Sequence, residues 1–293
     1  KPTPAYILKL AEYFEIEPTL VYKGKTLTDA LNDADNIGER IRILRYSQGF
    51  IQQELADAVG VIKSTISNWE NNAHTPKLEN LVILANYFGI DLTLLCKMTM
   101  SEAINALLDK IDVETDQDTI NIMAQALNSV GITSETGIPF RDGIYFTSQS
   151  TLKKIANALG VWYTNKDGPD GLTLGNGLIL LKERAGVTTF THEASHAIFA
   201  TIYSDVETRG LITAAVDALD TLGIIENLRT LLNIPPEKDA VFILNETLAT
   251  LAQLEAKEAL GNLTSKQSHL ITNLKMRLQL TDYVSGFGYN SNI

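Results

Sequence analysis

The chain has 293 residues, a formal net charge of −11, 45% apolar and 20% charged residues, and one cysteine. That length exceeds one small core and predicts two or three domains. The lack of any run of eighteen uninterrupted apolar residues excludes a hydrophobic membrane-spanning helix, the lone Cys96 excludes an internal disulfide, and the absence of a signal-peptide pattern adds the expectation of a cytoplasmic location. Charge is uneven along the sequence: residues 1–98 carry ten Lys/Arg against twelve Asp/Glu, and residues 99–293 fourteen against twenty-three. Phosphate contacts therefore belong to the N-terminal third if they exist at all.

A shift of 74 residues places "PTPAYILKLAEYFEIEPTLVY", from Pro2, over "PKLENLVILANYFGIDLTLLC", from Pro76. Leu10 meets Leu84, Ala11 meets Ala85, Phe14 meets Phe88 and Leu20 meets Leu94, at helical spacing. Two similar amphipathic helices would give the same pattern, but the shared proline start favours a duplication. Residues 1–23 then read as the C-terminal remnant of a first copy, and a chain beginning at Lys1 agrees with a fragment of a longer protein. "GKTLTDALNDADN", 24–36, reads as a polar connector.

The second copy, 37–96, reads as five short helices with Ile41, Leu44, Leu55, Ala56, Val59, Ile66 and Trp69 on their inner faces and Gly60 at the tight turn. Its "QQELADAVGV", "STISNWENN" and proline-led fourth helix resemble the Cro/repressor-type (Xre) helix-turn-helix family. That resemblance implies that Gln52 starts a helix touching the DNA backbone, and that Lys63, Ser64, Thr65, Ser67 and Asn68 face the major groove of double-stranded DNA. Where the family usually caps these helices with Ser or Thr, this chain has Ile51 and Ile62, at a cost of about 1 kcal/mol per lost cap. Only five basic residues face six acidic ones between Gly38 and Leu95, so a dimerisation or docking module is the competing reading.

Residues 97–135 read as a helical connector with a spacer role, ending in the Gly/Pro cluster of 131–143. From 136 to 293 the pattern changes. "GIYF" and "VWYT" are β-prone, an amphipathic helix lies between them, and Gly175-Asn176-Gly177 signals a hairpin. Helical periodicity follows from about Val187 to Leu280, broken at Ile234-Pro235-Pro236.

"THEASH" opens that helical run. Residues four apart on a helix lie on one face about 6 Å apart along the axis, so His192 and His196 can reach one metal ion while Glu193 lies beside it. This is the HExxH arrangement of zinc peptidases, in which the glutamate is the general base. A third protein ligand is needed, and Glu207, Glu226 and Glu246 offer it. Glu246 leads, with Glu226 second, because it stands among Phe242, Ile243, Leu244 and Leu248, where an unpaired charge is costly. "NETLA" resembles the third-ligand stretch of gluzincin peptidases and the glutamate helix of phage anti-repressor (ImmA/IrrE-type) metallopeptidases. Asn245 is placed to orient a neighbour, and Tyr203, His269 and Tyr283 are the candidates for an oxyanion donor.

The expectation is a mainly α, multidomain protein: an all-α helix-turn-helix plus an α+β zincin-like domain with a small sheet. By resemblance it is a Zn2+-dependent endopeptidase with a repressor-like targeting module, cleaving a cytosolic regulator such as a repressor in a phage or mobile element. The alternative is a DNA-binding transcriptional regulator whose C-terminal domain is a sensor or a degenerate peptidase. A structural zinc site is disfavoured because closed sites are cysteine-rich. Partners are a protein substrate and DNA through 37–96, with no membrane; the pair of readers that two half-sites call for is supplied by the tandem repeat within one chain, with a dimer as the other option.

Overall fold

The computed structural model describes residues 3–130 and 144–279. It is mainly α with one three-stranded sheet, and divides into two compact units, 1–133 and 134–293. The boundary expected within 131–143 lies outside the described residues. No helix among the described residues is long and apolar enough to cross a membrane.

In the first unit, α1 (Pro4–Phe14) and α2 (Pro18–Lys23) are followed by α3 (Leu27–Asp33). Then come α4 (Ile37–Ser47), α5 (Gln52–Val59), α6 (Lys63–Glu70), α7 (Leu78–Phe88) and α8 (Leu92–Cys96). The helix boundaries follow the 74-residue shift: α7 and α8 begin 74 residues after α1 and α2, and α1 and α7 both end in left-handed caps, Glu15 and Gly89. The surroundings of the two copies differ. Phe88 is 7% exposed and its counterpart Phe14 is 60% exposed, because α1 packs on α2 and α4 through Ile7 and Ala11.

Two sequence expectations change here. Residues 24–36 are not a polar connector, since they form α3, capped by Thr26, with Ala30 and Leu31 buried. Arg40, itself buried, donates to the carbonyls of Leu31, Ala34 and Leu95 and so ties the ends of α3 and α8 to α4. The expected spacer helices, α9 (Met100–Val113) and α10 (Gln117–Ser129), pack on each other and on α8 and α7. Leu107, Ile111, Met123 and Leu127 are fully buried there. Their periodicity carried that information, but what the apolar stripe faces was not visible in it.

A buried ion network locks α4, α5 and α6 together. Glu70, 2% exposed, accepts from Arg45 Nε at 2.5 Å and Nη2 at 2.9 Å, and from Gln52 Nε2 at 3.0 Å. Arg42 adds Nε at 3.4 Å and bonds the Glu70 carbonyl at 2.7 Å. Gly38 permits the close approach of α4 to α6, since a Cβ there would lie 2.2 Å from the Trp69 carbonyl oxygen.

The second unit starts with β1 (Ile144–Thr147), α11 (Gln149–Leu159), β2 (Gly171–Thr173) and β3 (Ile179–Lys182). The sheet order is β1-β3-β2, with β1 parallel to β3, and β2 antiparallel to it through the expected hairpin. "VWYT" is not a strand. α11 ends at Gly160 in the left-handed region, and the chain then turns Trp162 onto the helical core, edge-on to Phe242. Five helices follow among the described residues: α12 (Val187–Ser204), α13 (Val206–Thr221), α14 (Ile224–Leu232), α15 (Ala240–Ala259) and α16 (Ser265–Gln279). Their core gathers Leu219, Ile225, Leu228, Ile243, Leu254 and Leu274, while Ile179 and Leu181 of β3 pack on Ala197 of α12.

Glu70→Ala leaves Arg45, 5% exposed, without a counter-charge. It is expected to destabilise the first unit by about 3–5 kcal/mol, measured as a fall in the urea midpoint at unchanged slope.

Candidate functional site

α5 and α6 meet across Gly60, whose φ of 74° suits a residue without Cβ. The helix α6 buries Ile66, Trp69 and Glu70, leaves Lys63 and Ser64 exposed, and holds Thr65, Ser67 and Asn68 half-buried. Gln52 begins α5 as expected, and its half-buried amide also donates to Glu70, so it braces the interior of α6 from α5. Of the five cations between Gly38 and Leu95, Arg40, Arg42 and Arg45 are committed to carbonyls or to Glu70. Among the described residues, Lys63 and Lys77 form no ion pair. At the start of α5 the missing cap is partly replaced, because the Glu54 carboxylate accepts the Ile51 N–H at 2.8 Å. At the start of α6 Ile62 has no such substitute.

In the second unit α12 runs beside α15 and covers β2 and β3. Its face toward α15 carries His192 and His196, and Glu246 projects from α15 between them. His196 Nε2 lies 3.1 Å from His192 Nε2 and 3.6 Å from Glu246 Oε1, and His192 Nε2 lies 3.9 Å from Glu246 Oε2. The three donor atoms fall within 4.8 Å of one another. Two nitrogens each about 2.0–2.1 Å from one tetrahedral zinc stand about 3.3 Å apart, so the donor set fits such an ion with small adjustments.

The protonation pattern points the same way. Burial, with the neighbouring His196, holds His192 down to about 4, so the ring is neutral at pH 7 and its approach to Glu246 is no ion pair. His196 Nδ1 lies 2.9 Å from Asn245 Oδ1 and donates to it, which leaves the Nε2 lone pair facing His192 and Glu246. Two imidazole nitrogens and a carboxylate whose pKa burial raises then converge, an arrangement that a cation relieves. Buried His192 Nδ1 makes no hydrogen bond of normal geometry, although the Ala249 backbone on α15 acts on its ring.

Glu193 points around α12 toward the sheet and is 6% exposed. Thr173 Oγ1 lies 3.0 Å from its Oε2 and 2.7 Å from its carbonyl oxygen. Burial pushes the Glu193 carboxyl up to about 7, against the lowering effects of His196 and Thr173. Gly171 makes room for it: a Cβ there would sit 2.7 Å from Glu193 Cγ and 2.9 Å from Oε1. Sequence reasoning missed Gly171 and Thr173. Their signal is the i, i+2 spacing on β2 that puts both on one sheet face, but which face meets α12 is decided by packing.

The other proposed groups lie elsewhere. Glu226 is exposed and paired with Arg229 at 2.9 Å, and Arg229 also bonds the carbonyls of Pro235 and Lys238 and so fixes the entry to α15. Glu207 is exposed in the first turn of α13. Tyr203 stacks on Phe199 under Arg209, His269 is exposed on α16, and Tyr283 lies outside the described residues.

A family model described as helix-turn-helix matches residues 41–95. The cryptic phage CTXphi transcriptional repressor RstR of Vibrio cholerae is 29% identical over 93 residues, 30% of this chain and 84% of its own length. The SPbeta prophage-derived uncharacterized HTH-type transcriptional regulator YonR of Bacillus subtilis (strain 168) is 30% identical over 83 residues, 28% of this chain and 72% of its own. The HTH-type transcriptional regulator ImmR of the same strain is 25% identical over 114 residues, 32% of this chain and 90% of its own. No solved structure matches significantly. Each of these similarities covers at most about a third of the chain.

Asn245→Ala is expected to weaken Co2+ binding about 10–100-fold by freeing the His196 ring, whereas Glu226→Ala leaves it unchanged. Competition with a chromophoric chelator measures both.

Proposed function

The chain belongs to the helix-turn-helix family of transcriptional regulators, and on that premise we propose that it binds double-stranded DNA through α5 and α6 as a DNA-binding regulator. The outward face of α6 carries this reading: the Asn68 amide can pair with an adenine edge, Lys63 with a guanine edge or a phosphate, and Ser64 with either. The relatives, a phage repressor and prophage-derived and other regulators, support it. With three of five cations consumed inside the fold, attraction to phosphate is weak and base contacts must supply most of the discrimination. Selection of duplexes from a randomised library with the full chain tests the reading. The expected salt dependence, log K against log salt, has a slope of about −2 from Lys63 and Lys77, and Asn68→Ala is expected to weaken binding about ten-fold. Failure to enrich any duplex overturns it.

A second reading is favoured by the convergence of His192, His196 and Glu246. We propose that these three side chains hold Zn2+ and that the second unit is a metallopeptidase acting on a protein such as a cytosolic regulator. Bound zinc supplies Lewis acidity and an acidified water. Glu193, kept in one place by Thr173 and given room by Gly171, takes and returns a proton at its carboxylate, and a raised pKa suits both directions of transfer near neutral pH. Asn245 fixes the His196 tautomer that leaves Nε2 free for the ion. Metal analysis of the purified chain is expected to give about one zinc per chain, retained in Glu193→Gln and largely lost in Glu246→Ala. A zinc-free wild type, or full zinc in Glu246→Ala, overturns the ligand set.

A further inference from the structure

Ile62 breaks two local rules at once. As the residue preceding α6 it offers no acceptor to the free N–H groups of the first turn, and its side chain stands 70% exposed instead of packing. Its neighbours Lys63 and Ser64 are exposed beside it in the first turn of α6, ahead of buried Ile66 and Trp69. Ile51 at the start of α5 is the milder case, because Glu54 takes over part of its cap. A serine or threonine at position 62 would serve the fold better, so the isoleucine answers to something outside the folded unit.

We propose that Ile62 is a specificity-determining residue that packs its side chain against a thymine C5-methyl group in the major groove. This rests on the DNA-binding reading. The N-terminal residues of a recognition helix are the ones that reach base edges, and the thymine methyl is the apolar group displayed there. The charge inventory favours the same occupant: Arg40, Arg42 and Arg45 are bound inside the unit, so little phosphate attraction remains and an apolar base contact contributes a larger share. An apolar protein partner on this face is the competing occupant.

The full chain is first used to select a duplex from a randomised library, and each thymine of that duplex is then replaced by deoxyuridine, which removes only the methyl. At one or two positions the wild type is expected to lose about four-fold in affinity, the value of one buried methyl-sized group. Ile62→Ala is expected to bind thymine and deoxyuridine duplexes alike. Ile62→Ser is expected to melt about 3–6 °C higher through the restored cap while binding the selected duplex more weakly. A wild type indifferent to every replacement, or an Ile62→Ala variant that keeps the full sensitivity, overturns the contact while leaving DNA binding intact. A wild type that enriches no duplex overturns DNA binding and the contact together, and leaves the face to a protein.

Discussion

Removing a charged side chain from water costs several kcal/mol unless partners replace the lost solvation, and this constraint organises both units. In the first, Glu70 is buried at the end of α6 and draws Arg45, Arg42 and Gln52 from α4 and α5 onto itself. The orientation of α6, and with it the direction in which Lys63, Ser64 and Asn68 face, follows from that clamp. In the second, Glu193 and Glu246 are taken out of water beside two imidazoles. The hydroxyl of Thr173 and the amide of Asn245 are spent on holding these groups in place.

The same constraint trades against function in opposite senses. Cations that satisfy buried acceptors are lost to phosphate recognition, so the helix-turn-helix gains rigidity at the expense of electrostatic attraction. Carboxylates held without a matching cation keep raised pKa values, the condition a proton-transfer group or an ion-seeking site requires. One unit has its charges closed into a network, and the other leaves three donor atoms converging on a point.

The internal repeat shows how context changes the use of one element. α1–α2 and α7–α8 share their starting points 74 residues apart and their left-handed caps, as local sequence dictates. The pair α7–α8 lies within the helix-turn-helix and packs on α10, α9 and α4, whereas α1 packs on α4 and α2 on α3 and α4. Phe88 is accordingly buried and Phe14 is not.

By itself the sequence determined most of the helices and their breaks, the hairpin, the helix-turn-helix and the pairing of His192 with His196, because each is fixed by spacing within a few residues. It also singled out Glu246 by its apolar neighbours, a cost argument that needs no coordinates. Only the tertiary structure decided that α3, α9 and α10 are core helices, that "VWYT" feeds a helical core, and that Gly171 and Thr173 seat Glu193. Those outcomes depend on which face of an element meets which neighbour far away in the chain. Periodicity shows that a helix or strand has an apolar face, and long-range packing chooses what that face touches.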